Sequence, residues 1–162
     1  MAEILLAIEE LHNWGIVFRD LKPDNVVLDV EGHAILTDFG LSREIFDDES
    51  AESFCGSYAY LAPEMLKWEG HGKSLDWYLL GVFLYEMLFG IPPFYDHDRD
   101  VLFENILSQD LNFVHQNISD SAKDLLRKVS LSKYSCWTRI LKRDLEKPMV
   151  LKKWRVMNGS KY

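Results

Sequence analysis

A mainly α-helical fold with one small β-hairpin is what this sequence predicts, and three stretches carry the prediction. Apolar side chains at Ile4, Leu5, Ile8 and Leu11 recur at helical spacing. The segment from Trp77 to Phe89 is apolar almost all round, as a buried helix must be. Between them, Val26-Val27-Leu28 and Ala34-Ile35-Leu36 flank Gly32, a strand–turn–strand pattern.

Taken in order, the first helix covers residues 2–13 and stops at Asn13 and Gly15, residues that suit a helix end. The hairpin presents Asn25 on one side and Asp38 on the other. Residues 41–58 are polar, acidic and aperiodic and read as a mobile loop. Gly90-Ile91-Pro92-Pro93 ends the long apolar helix, because proline lacks an N–H and clashes with the preceding turn. Helical periodicity returns at 99–108 and 119–130, with Ser119 or Asp120 as the N-cap of the second.

Of the 162 residues, 48% are hydrophobic, which fits a globular chain and excludes a disordered one. Two cysteines, Cys55 and Cys136, make no disulfide framework, so a reducing, intracellular setting is expected, cytoplasmic or nuclear. No basic region precedes the first apolar residues, so no signal peptide is read there. The longest apolar run, Trp77 to Tyr85, is too short to span a bilayer, so no membrane span is expected. Charge is split along the chain. Residues 1–122 hold 6 Lys/Arg against 23 Asp/Glu, a net −17, whereas residues 123–162 hold 12 against 3, a net +9. An acidic body either steers a basic peptide or is simply a solvated surface. The basic end raises nucleic-acid binding, a reading set aside below.

Four motifs stand in order: Val17-Phe18-Arg19-Asp20-Leu21-Lys22-Pro23-Asp24-Asn25, Asp38-Phe39-Gly40, Ala62-Pro63-Glu64, and Asp76-Trp77-Tyr78-Leu79-Leu80-Gly81. Any one alone is a weak signal; the ordered set resembles the catalytic loop, metal-binding loop and activation-segment end of a protein kinase. The stretch Phe54 to Glu64 looks like the AGC group of serine/threonine kinases. Gly81 to Tyr95 is similar to the serum/glucocorticoid-regulated and ribosomal-protein kinase branch. The resemblance covers residues 2–129, so residues 1–129 are read as a partial kinase domain, its large C-terminal lobe.

What the resemblance implies is ATP-dependent phosphorylation of protein serine or threonine, with ATP and Mg²⁺ as cofactors. Asp20 accepts or orients the proton of the substrate hydroxyl, and Lys22 neutralises the transferred phosphoryl group and contacts ATP. Asn25 and Asp38 hold the metal that bridges the phosphates, as hard oxygen ligands suit Mg²⁺. Arg19 pairs with a phosphorylated activation-loop residue, by position Ser53, placed there by an upstream kinase. Ser57 lies against the acceptor site. Asp24 and Glu86 fall where basophilic members hold a substrate arginine two or three residues before the acceptor; Glu86 otherwise needs a buried ion-pair partner. Glu64 and Asp76 are structural positions. Phe18 stands where the wider family has His, and Ala59 replaces a Glu common in this branch.

Two departures are larger. The Gly-rich loop, the strand Lys and the helix Glu that clamp ATP lie upstream of the catalytic loop in this family. Nineteen residues precede Asp20 and none resembles them, so the N-terminal lobe is expected to be absent and the chain inactive by itself. A non-catalytic binding module and a gene-model artefact are the alternatives. After Val129 the family continues into a leucine pair, an Asp-x-Asn/Asp-Pro turn and an Arg that pairs with Glu64, and none of this appears in frame. Reading the third base of each codon with the first two of the next permits it. Trp137-Thr138 then forces Asp, and Thr138 to Glu146 permits Lys-Asn-Pro-Glu-Lys-Arg-Phe-Gly. Residues 130–162 are therefore read as an anomalous tail, kinase sequence out of frame, which removes the motive for a nucleic-acid-binding end.

Overall fold

The computed structural model describes residues 1–45, 51, 56–113 and 118–131, with side chains as far as Arg127. The first helix, α1 (Ala2–Asn13), buries Ile4, Leu5, Ile8 and Leu11 as their spacing requires. Gly15, at φ 74°, turns the chain out of it and donates its N–H to the His12 carbonyl at 3.1 Å. After β1 (Ile16–Val17) and a short 3-10 turn at Pro23–Asn25, β2 (Val26–Leu28) pairs antiparallel with β3 (Ala34–Leu36), Val26 opposite Leu36 and Val27 opposite Ile35. Asp29 closes the hairpin turn, its Oδ1 accepting from Glu31 N at 2.9 Å and His33 N at 2.8 Å.

The stretch read as a loop at 41–58 is partly ordered into a sheet. Arg43–Glu44 form β4, which pairs antiparallel with β1, and Ile45 N extends the contact to the Gly15 carbonyl at 2.7 Å. A two-residue strand carries no alternation to read; its partner lies far upstream and supplies the pairing. The positions 46–50 and 52–55 fall outside the described residues. Ala51 forms an isolated antiparallel bridge with His71.

The helices follow: α2 (Pro63–Leu66), α3 (Ser74–Phe89), α4 (Arg99–Ser108) and α5 (Asp120–Leu131). Buried residues occur all round α3, among them Leu79, Phe83, Leu84 and Tyr85. Each large apolar side chain so buried contributes about 1.5–3 kcal/mol. This helix starts one turn earlier than its apolar run suggests, because Leu75 and Asp76 are also buried. It packs against α5, whose Leu125 and Leu126 are in the same core, while α1 packs on β1 and β3. Gly90 ends α3 in the left-handed conformation at φ 87°. Asp98 caps α4 by accepting from Asp100 N and Val101 N at 2.8 and 3.2 Å, and Ser119 Oγ accepts from Ala122 N at 3.3 Å at the start of α5. The architecture is mainly helical, with two small antiparallel sheets that pack beside α1.

Candidate active site

The loop between β1 and the 3-10 turn is fixed from below by one carboxylate. Asp76, fully buried in the first turn of α3, accepts from Phe18 N at 2.8 Å and from Arg19 N at 2.7 Å. His12 of α1 closes on its Oδ2 at 2.7 Å. Two successive N–H groups reach one carboxylate only from a sharply turned backbone, and Arg19 adopts φ 70°. Phe18 is fully buried and meets Phe39 edge to face, with ring centroids 5.2 Å apart. The aromatic side chain thus ties the loop carrying Asp20 to the one carrying Asp38.

Asp20 is 7% exposed, and its Oδ2 accepts two donors, Lys22 Nζ at 2.8 Å and Asn25 Nδ2 at 2.7 Å. The Asn25 amide also donates to the Asp20 carbonyl at 2.8 Å. No group among the described residues donates to Asp20 Oδ1. The Gly56 backbone passes over that oxygen: at φ 100°, an added Cβ would stand 3.7 Å from it. Lys22 Nζ lies 3.5 Å from Ser57 Oγ, so the ammonium links the Asp20 carboxylate to the Ser57 hydroxyl.

Asn25 and Asp38 come together through the hairpin. Thr37 N donates to the Asn25 carbonyl at 2.9 Å, which places Asp38 two residues past Leu36 at the open end of the β2–β3 ladder. Asp38 adopts φ 60°, and its Oδ1 accepts from Gly40 N at 3.1 Å; a Cβ on Gly40 would meet the same oxygen at 3.1 Å. Among the described residues no three His, Cys, Asp or Glu form a metal cluster. One carboxylate and one amide nevertheless fit Mg²⁺, which keeps waters and phosphate oxygens in its remaining positions. Asn25 and Asp38 would hold it, and it would supply positive charge where phosphate oxygens gather.

The remaining expected site residues divide. Arg19 Nε donates to the Leu41 carbonyl at 2.6 Å, which brings its guanidinium to the segment after Asp38. Ser53, its expected phosphorylated partner, lies outside the described residues. The exposed Asp24 and half-buried Glu86 are close enough to interact. Burial first, and then the Asp24 charge, push the Glu86 carboxyl up to about 7. Glu86 Oε2 has no hydrogen-bond partner, and no ion pair to Glu86 is formed among the described residues. Glu64, at the start of α2, raises the pKa of the Tyr78 hydroxyl, although burial of that hydroxyl is the larger cause.

Two residues near this site were not singled out by the sequence. Arg43 sits on β4, directly across from Val17. His71 is 4% exposed, and its Nε2 lacks a hydrogen-bond partner. Burial and then the Arg19 charge hold its imidazole below the ordinary pKa, with Arg43 adding to this and Asp76 opposing it. A lone histidine before a helix carries no signal in the sequence, and Arg43 belongs to a strand too short to be read.

The protein kinase domain family matches residues 1–147. "Protein kinase 2" of Dictyostelium discoideum is 49% identical over 125 residues, 77% of this chain and 26% of that protein. Human "Serine/threonine-protein kinase Sgk1" is 48% identical over 126 residues, 77% of this chain and 29% of that one. The "RAC family serine/threonine-protein kinase homolog" of D. discoideum is 44% identical over 148 residues, 90% and 31% of the two chains. The chain thus spans roughly a third or less of the curated relatives it matches. Among the described residues no helix is long and apolar enough to cross a membrane.

Proposed function

The chain belongs to the protein kinase family, with the AGC-group serine/threonine kinases, and on that premise we propose that it supplies the catalytic half of an ATP-dependent kinase acting on protein serine or threonine. The observation that carries the reading is the Asp20 carboxylate, with one oxygen saturated by Lys22 and Asn25 and the other open under Gly56. A substrate hydroxyl at Oδ1 would be oriented for attack, while Lys22 stands ready to meet phosphoryl charge. Positioning of this kind supplies most of the catalysis in phosphoryl transfer.

The substrate is a basic peptide. Asp24 and Glu86 form a repelling carboxylate pair with an unsatisfied buried oxygen, and a substrate guanidinium brings both the counter-charge and the hydrogen bonds that they lack. The net −17 of residues 1–122 favours the same partner. Phosphorylation of Ser53 by an upstream kinase, received by Arg19, is the proposed activating step, in an intracellular setting. ATP clamping comes from a further half that packs over the hairpin, where Val27, Ile35 and Phe39 are 43%, 46% and 49% exposed. The 162 residues alone are then inactive and act at most as a binding module.

The test is transfer of labelled γ-phosphate from ATP to two serine peptides, one with arginines two and three residues before the serine and one with alanines there. A polypeptide joining residues 1–162 to the ATP-clamping half of human Sgk1 should label the arginine peptide preferentially, and residues 1–162 alone should label neither. No transfer by the joined polypeptide overturns the assignment; equal labelling of the peptides overturns the basophilic part.

For residues 130–162 we keep the out-of-frame reading as a proposal. A divergent in-frame tail is the second reading, favoured by a family match that runs on to residue 147. The coding DNA decides: kinase sequence in the shifted frame supports the first, and its absence leaves the second.

A further inference from the structure

We propose that Arg99, held on the rings of Tyr58 and Phe103, reads the residues that follow the acceptor serine or threonine of the substrate and selects an acidic side chain there. The inference rests on the reading of the chain as the catalytic half of a basophilic kinase and adds a second point of substrate contact to it.

The platform begins one residue from the catalytic loop's contacts. Lys22 Nζ joins Asp20 Oδ2 at 2.8 Å to Ser57 Oγ at 3.5 Å, and Gly56 passes over Asp20 Oδ1. Tyr58 is the next residue and opens the 3-10 turn Tyr58–Tyr60. Tyr60 and Leu61 are buried and anchor that turn in the core, whereas Tyr58 is 52% exposed. Its ring meets Phe103 of α4 edge to face, with centroids 6.0 Å apart. The Arg99 guanidinium stands 5.8 Å from the Tyr58 centroid and 5.9 Å from the Phe103 centroid, within the range of cation–π attraction. The two rings restrain a long, flexible side chain beside the acceptor site, so less freedom is lost when a ligand binds it.

The charges around Arg99 leave it open to a ligand. Asp96 accepts from Asp98 N at 2.9 Å, and Asp98 accepts from Asp100 N and Val101 N, so both carboxylates are engaged by backbone. Asp100 is 90% exposed and lies 3.9 Å from Arg99 Nε, too far for a hydrogen bond. Among the described residues no acceptor takes an Arg99 N–H. Arg99 stands in the first turn of α4, where the helix dipole also favours an anion, so an incoming carboxylate meets two sources of positive potential. The planar fork of a guanidinium takes such a carboxylate through two N–H groups. On the proposed reading the arginines before the acceptor go to Asp24 and Glu86, which leaves the residues after it for Arg99. Opposite charges on the two sides of the acceptor then fix the direction in which the peptide lies.

The experiment measures fluorescence anisotropy of labelled peptides with the full 162-residue chain, its folded state checked by circular dichroism. Three peptides share arginines two and three residues before the serine and carry Glu-Glu, Ala-Ala or Lys-Lys directly after it. A fourth has alanines in place of the arginines and Glu-Glu after the serine. At low ionic strength the first peptide should bind about three- to fivefold more tightly than its Ala-Ala counterpart, and added salt should shrink the advantage. Arg99→Ala should remove it, and Arg99→Glu should transfer it to the Lys-Lys peptide, a reversal that a merely structural role does not produce. Tyr58→Ala, which takes away one ring of the platform, should reduce it partway. In the joined polypeptide the same preference should appear in KM, with kcat unchanged. Equal binding of the Glu-Glu and Ala-Ala peptides, or an advantage that survives Arg99→Ala, overturns the role of Arg99; weak binding of the fourth peptide would then still support the reading of Asp24 and Glu86. If the fourth peptide binds as tightly as the first and loses affinity in Arg99→Ala, the role of Arg99 stands and the basophilic reading falls. If no peptide binds the folded chain, both are overturned.

Discussion

Asp20 and Glu86 are both carboxylates on the proposed catalytic side of the helical core, and the chain treats them in opposite ways. Asp20 has one oxygen held by two donors, Lys22 and Asn25, and the loop that carries it hangs from the buried Asp76. Glu86 is half-buried, faces the like charge of Asp24, and keeps a buried oxygen with no donor. The first arrangement fixes one oxygen before any ligand arrives and leaves the other open, which is what a group that must orient a reacting atom requires. The second is unfavourable until a cation arrives, which is what a recognition site looks like before it is filled. On the proposed reading, machinery and specificity are thus separated along the chain, one on the loop after β1 and the other between that loop and α3.

The largest expected effect breaks the first arrangement. In a polypeptide joining this chain to an ATP-clamping half, Asp20→Asn should lower turnover by about 10²–10⁴-fold and leave nucleotide affinity nearly unchanged. Steady-state kinetics beside direct nucleotide binding is the measurement. Near-normal turnover would mean that the hydrogen bonds around Asp20 are structural and that the catalytic group lies elsewhere.

Asp76 tests whether that arrangement is built from beneath. Asp76→Ala leaves Phe18 N, Arg19 N and His12 without their shared acceptor in a fully buried place. A loss of about 3–5 kcal/mol in urea denaturation of the 162-residue chain is expected. Glu86→Gln, by contrast, removes a charge that burial and Asp24 disfavour, and should leave stability at neutral pH unchanged or raised. Equal losses from both substitutions would erase the distinction between the two carboxylates.

Much of the fold was legible because burial repeats along the sequence. The periodicity in α1, the unbroken apolar run of α3 and the turn at Asp29 to Gly32 each report on local contacts. The four motifs marked the candidate site for the same reason, as short runs of fixed order. What stayed hidden depends on partners far away in sequence. Arg19 at φ 70° makes sense only once Asp76 is known to sit beneath it. The two strands of the β1–β4 sheet are too short to alternate, so Arg43 and the unsatisfied His71 beside it carried no readable signal. Glu86 was readable as a position but not as a state, because its raised pKa comes from burial within the folded chain.

Asp38 probes the proposed metal side of the site. In the joined polypeptide, Asp38→Ala should remove the Mg²⁺-dependent part of nucleotide affinity, on the order of ten- to a hundredfold for a lost charged contact. Its neighbours Phe39, Gly40 and Leu41 have no side-chain oxygen with which to replace it. Nucleotide titrations with and without Mg²⁺ give the answer, and an unchanged Mg²⁺ dependence rules out this residue as a ligand.

The smallest expected effect belongs to Glu86 and is a pH dependence. Its carboxyl titrates at about 7 in the folded chain, against an ordinary 4.5, because burial first and Asp24 second disfavour the anion. The folded state then binds the proton more tightly than the unfolded state, so stability falls as pH rises from 4.5 to about 7 and levels off above. Recognition runs the other way, since a substrate guanidinium needs the anion. Affinity of the joined polypeptide for an arginine-containing peptide should rise by about tenfold between roughly pH 6 and 8, the range over which the carboxyl loses its proton. Glu86→Gln should flatten both profiles, whereas Asp24→Asn should lower the Glu86 midpoint by removing the smaller of its two causes. Calorimetric peptide titrations across that range, for the parent and both variants, provide the measurement. A parent profile as flat as that of Glu86→Gln would mean that the carboxylate pair does not meet the peptide, and the separation of machinery from recognition would lose its second half.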